Sequence, residues 1–313
     1  MVRLPNFANN GRPQILDGGL ATALESRGHD LNHPLWSGKL LTEKPGEITK
    51  VHLDFYRAGA NIAITSSYQT SVLGLKKHLD LEEPQALEVI KSSVYLAQEA
   101  QKQALAEDPE RTLFVAGSVG PYGAYLANGA EYTGDYGDVT VQHLKDFHES
   151  RIDALLEARA DILACETIPS LLEVKVLVDL LRTRHTKAWL SCTLRDEDHI
   201  SDGTHVSEVA KAIQDCDQII GFGINCVPLG LAAKAIKRIA GITHKDPIVY
   251  PNSGEQWDAE KKVWYGGTEA REHLGELAKD WYRSGALFIG GCCRMGFEDI
   301  KVISDALRST SNP

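Results

Sequence analysis

The stretch FIGGCCRMG (288–296) ends an apolar run with two adjacent cysteines, Cys292 and Cys293. Chain neighbours do not readily form a disulfide with each other, because that bond sets Cα atoms ~5.5–6 Å apart and neighbours sit at ~3.8 Å. Two soft thiolates side by side suit a metal instead, and the glycines before them let the backbone bend so that both side chains reach one ion. A third cysteine, Cys226, closes another apolar run, IIGFGINC (219–226). Three thiolates with a fourth position left open are a ligand set that suits catalytic zinc, at Zn–S distances of ~2.3 Å. Cysteine is also among the most often buried residue types. Cys165, Cys192 and Cys216 are read as core residues on that ground.

Two carboxylates close further apolar runs, Asp17 in QILDGG (14–19) and Glu166 in DILACET (161–167). Each has a plainer use. Asp17 could cap a helix opening at Gly18 or Gly19, and Glu166 could sit at the edge of the core paired with an arginine. Beside three thiolates, however, two more anions repel the set unless a cation lies between them. A substrate ammonium is such a cation, which points to an amino-acid substrate.

These residues are far apart in the chain, so the fold must bring them together. Eight short apolar runs recur, the others being NIAITSSY (61–68), LFVAGSVG (113–120), AWLSCTL (188–194), IVYPNSG (248–254) and LFIGGCC (287–293). Runs too short for a helix and apolar on both faces read as buried parallel strands. Helical patterns lie between them. Leu87, Ile90, Val94 and Ala97 recur at helical spacing after Pro84, and Ser170 with Glu173 reads as a capping box. Strand–helix alternation without a linker predicts a single (β/α)8 TIM barrel over residues 1–313. A doubly wound open sheet is the competing architecture, but none of the eight runs is short, charged or proline-blunted as edge strands often are. In a barrel the ends of the strands ring one mouth, where active sites lie.

The composition excludes other classes. A net charge of −10 with no basic stripe argues against nucleic acid. No run approaches the ~20 apolar residues of a membrane span. MVRLPNFANNGRPQ lacks the apolar core of a signal peptide, so a cytoplasmic protein with reduced thiols is expected. The acidic surface shows no interface stripe, and a monomer is expected. GSVGPYGAY (117–125) lacks the phosphate-loop lysine and the dinucleotide fingerprint, and no G-x-S-x-G elbow is present.

Taken together, these residues resemble the homocysteine S-methyltransferase family across nearly the whole chain, from LDGGLAT (16–22) to IGGCCR (289–294). The signature is one cysteine after GIN and a distant GGCC. SVGPYGAYLANGAEYTGDY (118–136), LRDEDHISDGT (194–204) and VYPNSGE (249–255) are similar to the branch that uses S-methylmethionine or S-adenosylmethionine. The resemblance implies Zn2+ held by Cys226, Cys292 and Cys293, and the amino group of L-homocysteine held by Asp17 and Glu166. It implies that N–H groups of the loop with Gly18 and Gly19 receive the substrate carboxylate. Asn225, beside Cys226, is placed among the substrate contacts. The reaction implied is methyl transfer from the sulfonium to the homocysteine thiolate, giving methionine. A related branch uses betaine and needs an aromatic cage. Here Trp36 matches one cage position, whereas Thr167 follows Glu166 and Gln69 aligns with the remaining aromatic unless the neighbouring Tyr68 takes that place. A thiol-based redox or metal-sensing protein using Cys292 and Cys293 is the alternative from a different class.

Overall fold

The computed structural model describes residues 12–254, 256–258, 263–265 and 269–310. The N-terminal stretch through residue 11, read above for a signal peptide, lies outside the described residues, as does Glu255 of VYPNSGE.

All eight apolar runs contain a strand: β1 Gln14–Ile15, β2 Ile62–Ile64, β3 Phe114–Val119, β4 Ile162–Ile168, β5 Ala188–Cys192, β6 Ile219–Asn225, β7 Asp246–Tyr250 and β8 Phe288–Ile289. Each pairs in parallel with its neighbour in the chain from β2 through β8, and β8 returns to β1 through Gln14 opposite Phe288. A parallel bridge from Leu16 to Ile62 joins β1 to β2. The ring is therefore a (β/α)8 barrel rather than an open sheet. A short antiparallel hairpin, Gln256–Asp258 against Val263–Tyr265, adds a feature that the sequence pattern did not predict.

Alternation along the strands divides the core in two. Leu16, Ile62, Phe114, Ile162, Trp189, Ile248, Tyr250 and Phe288 fill the barrel. The intervening positions, such as Val115, Leu163, Leu190, Ile224 and Val249, pack outward against the helices. Cys165, Cys192 and Cys216 belong to this outer layer, as expected. Helix Glu83–Glu107 has Pro84 in its first turn, where the missing N–H is no loss. The capping box read at Ser170 is only half formed. Ser170 Oγ accepts from the Glu173 N–H (3.3 Å), but the Glu173 side chain turns elsewhere. No helix among the described residues is long and apolar enough to cross a membrane.

Candidate active site

Asp17 leaves the end of β1 and points across to β2, where its Oδ2 accepts the Ile64 N–H (2.8 Å). It caps no helix: the helix Leu20–Ser26 begins behind Gly19 without a side-chain cap. Burial pushes its carboxyl well above the usual range, opposed by the Ile64 bond. Glu166, inside β4, accepts from the Ser118 hydroxyl on β3 and the Tyr250 hydroxyl on β7 (3.1 Å). Burial pushes it up to about 7, with those two bonds acting the other way. It is not ion-paired to the nearby Arg151, whose guanidinium instead donates to the carbonyls of Gly120, Ser67 and Tyr68.

In the same cavity, the sulfurs of Cys226, Cys292 and Cys293 all lie within 4.8 Å of one another. Cys226 and Cys293 are 3.7 Å apart at Sγ, close to the ~3.8 Å edge of a tetrahedron of thiolates at ~2.3 Å from one ion. Cys226 and Cys292 are joined as a disulfide with Cα atoms 5.5 Å apart, where reduced thiols were expected. The proximity that lets three sulfurs share an ion also lets two of them pair. Cys293 is pushed up to about 12 by burial and then by the neighbouring Glu25, Glu166 and Glu131, so a thiolate there needs a cation beside it. The donor set fits a thiophilic metal.

The expected role of the glycines is met differently. Gly290 and Gly291 do not adopt positive φ. They lack room for a Cβ, which would lie 2.6 Å from Leu16 Cβ at the first and 2.5 Å from Met295 Cβ at the second. The left-handed turns fall instead on Cys226 (φ 51°) and Arg294 (φ 66°), bracketing the ligand loops. Such conformations are uncommon outside glycine and concentrate at functional sites. Thr167 (φ 62°) and Trp36 (φ 47°) share them and line the same cavity.

Asn225 does not line that cavity. Its Oδ1 accepts from the Thr167 N–H and the Ser191 hydroxyl (2.8 Å each), and its Nδ2 donates to Thr167 Oγ1 (2.7 Å). It braces the left-handed Thr167, and its Nδ2 also faces Cys292 Sγ (3.9 Å). The Gly19 N–H likewise donates to the Met295 carbonyl (2.8 Å), which leaves the Gly18 N–H as the candidate for a carboxylate.

The cavity holding these groups is about 900 Å3 in volume. Trp36 forms one wall with Tyr68, their ring centroids 6.4 Å apart at 72°. Tyr68, Tyr132, Glu131 and Tyr250 were not picked out from sequence, apart from Tyr68 as an alternative to Gln69. Tyr68 and Tyr250 end strand runs and carried a signal that could have been used. Glu131 and Tyr132 sit on a loop turn with no periodicity to mark them.

A family model described as homocysteine S-methyltransferase matches residues 14–307. The chain belongs to the homocysteine S-methyltransferase family. Among relatives of that family, the homocysteine S-methyltransferase of Escherichia coli is 46% identical over 291 residues, covering 92% of this chain and 93% of its own. A selenocysteine methyltransferase of Astragalus bisulcatus is 38% identical, covering 97% and 95%. The metallated form of the homocysteine methyltransferase MmuM from Escherichia coli superposes with a TM-score of 0.87 at 42% identity, covering 96% of this chain and 99% of that one. Membership makes the chain an enzyme of methyl transfer and removes the sensor alternative.

Proposed function

We propose that the protein transfers a methyl group from a sulfonium donor, S-methylmethionine or S-adenosylmethionine, to L-homocysteine at a zinc ion held by Cys226, Cys292 and Cys293. The observation that carries this reading is that three convergent sulfurs share one cavity with Asp17 and Glu166. Its volume is at the upper end of the ~300–1,000 Å3 usual for small-molecule sites, which leaves room for two amino-acid substrates. Asp17 and Glu166 take the homocysteine ammonium, and that cation offsets the burial that opposes their ionisation. Bound zinc supplies a Lewis acid that keeps the homocysteine thiol, near pKa ~8.5 when free, deprotonated at neutral pH. Trp36 and Tyr68 offer ring faces to the donor's cationic sulfur. The thiolate attacks the methyl carbon in line and the C–S bond of the donor breaks. The departing sulfur becomes a neutral thioether and needs no proton. Holding both sulfurs on one carbon supplies much of the remaining acceleration.

One observation favours betaine as a second reading: Tyr68 stands beside Trp36, so two cage aromatics are present rather than one. Thr167 still lacks the third. The test is methionine formation by reduced, zinc-loaded protein given homocysteine and either S-methylmethionine or betaine. Turnover with the sulfonium that a chelator abolishes, and that Cys292→Ser lacks together with its zinc, is expected. Turnover with betaine alone would select the second reading.

A further inference from the structure

The proposed chemistry leaves three cavity carboxylates without a task, Glu25, Asp30 and Glu131, and of these only Glu131 has an enclosed oxygen without a partner among the described residues. Glu131 lies on the 3-10 turn Ala130–Tyr132 in the loop after β3 and lines the cavity with Tyr68 and Tyr132. The turn is firmly held. The Thr193 hydroxyl donates to the Glu131 carbonyl (2.8 Å), the Ala130 N–H donates to Asn128 Oδ1 (3.1 Å), and Gly123 packs so close beneath that a Cβ there would lie 2.5 Å from the Glu131 nitrogen. One carboxylate oxygen turns toward its own N–H, while Oε2 is enclosed and meets no hydrogen-bond partner among the described residues. An enclosed carboxylate oxygen without a partner is costly, and sites that keep one usually present it to a ligand.

Burial pushes the Glu131 carboxyl up to about 7, so a cationic partner is what would keep it charged, and the donor has two candidates. A carboxylate against the sulfonium would favour the ground state, because that charge vanishes as the methyl leaves. The donor's α-ammonium keeps its charge throughout, so a carboxylate there binds substrate and transition state alike. Glu131 is the leading charge acting on the Tyr68 hydroxyl, on the wall assigned to the donor, and it also acts on Cys293, which places it between the donor wall and the sulfurs.

We propose that Glu131 receives the α-ammonium of the methyl donor and thereby selects sulfonium donors that carry an amino-acid head; this rests on the sulfonium reading above. The selection works by charge: a donor lacking the amine leaves Glu131 unpaired, and betaine, with only a carboxylate at that end, is repelled.

The test compares S-methylmethionine with 4-dimethylsulfoniobutanoate, the same donor without the amine, in wild type and in Glu131→Gln. Loss of a charged hydrogen bond should raise KM for S-methylmethionine about tenfold or more, with kcat within about twofold. Homocysteine KM and zinc content should stay the same, and the wild-type preference for the amine-bearing donor should collapse in the variant. Glu131→Asp, with charge kept and reach shortened, should fall between. An unchanged KM for S-methylmethionine in Glu131→Gln, or an equal loss with both donors, would overturn the assignment while leaving the sulfonium reading intact. A wild type silent with every sulfonium would overturn both.

Discussion

At Glu166, burial and hydrogen bonding act in opposite directions on a group that would have to be charged to pair with the ammonium proposed for it. Burial prevails, and the carboxyl rises from the ordinary 4.5 to about 7. Between those values the folded chain holds a proton that the unfolded chain has lost. The contribution of this group to the stability of the ligand-free protein therefore falls as pH rises through the window. Substrate use runs the other way: kcat/KM for homocysteine should decline as pH falls below about 7, where Glu166 becomes neutral. Glu166→Gln should abolish that acidic limb and lower kcat/KM by about a hundredfold or more, as expected when one partner of a buried ion pair is removed. A limb that persists unchanged in the variant would assign it to another group. Asp17, Glu166 and the three cysteines were legible because each closes an apolar run, and in a barrel that position alone implies the mouth. Asn225 was legible as the end of a strand, whereas its bonds to Thr167 and Ser191 were not, since they depend on the register between strands.

At the scale of elements, Glu173 clamps the loop that carries Glu131. From the first turn of helix Leu171–Arg182, its Oε1 accepts the Tyr122 N–H (2.6 Å) and faces His148 Nε2 (2.8 Å), while its Oε2 accepts the Tyr136 hydroxyl (2.6 Å). The sequence pattern predicted the cap at Ser170 correctly but assigned Glu173 to the same box; tertiary partners outcompeted the local one. Glu173→Gln replaces an acceptor oxygen with an amide donor facing other donors. It should lower Tm by about 5 °C, the order set by losing a charged hydrogen bond in a protein of this size. As a positioning residue, Glu173 should affect the donor more than the acceptor: KM for S-methylmethionine should rise while KM for homocysteine holds. Equal changes for both substrates would mean a general loss of structure.

At the scale of the molecule, the barrel interior and the reaction site are one continuous body. Trp189 fills the interior and donates from Nε1 to the Tyr250 hydroxyl (3.1 Å), which in turn donates to Glu166. Trp189→Ala should destabilise by about 3–5 kcal/mol through the cavity it leaves. It should also weaken homocysteine use, because Tyr250 loses its support; a denaturant midpoint and a KM measured together would check both. Strand number could be read from the apolar runs, and closure from the absence of any run blunted as an edge, whereas the register of β8 against β1 could not, since no local pattern records which residues lie alongside. That closure brings the Arg294 N–H onto Thr22 Oγ1 (2.9 Å), a contact spanning 272 residues. On a ribosome adding ~5–20 residues per second, Thr22 waits roughly a quarter of a minute to a minute for that partner. Until the last strand is made, the first stands without its second neighbour, an unpaired apolar edge. A half-made chain contains none of the three cysteines and one ending between residues 226 and 291 only Cys226, so a metal site built from all three would have to wait until translation has passed the last strand.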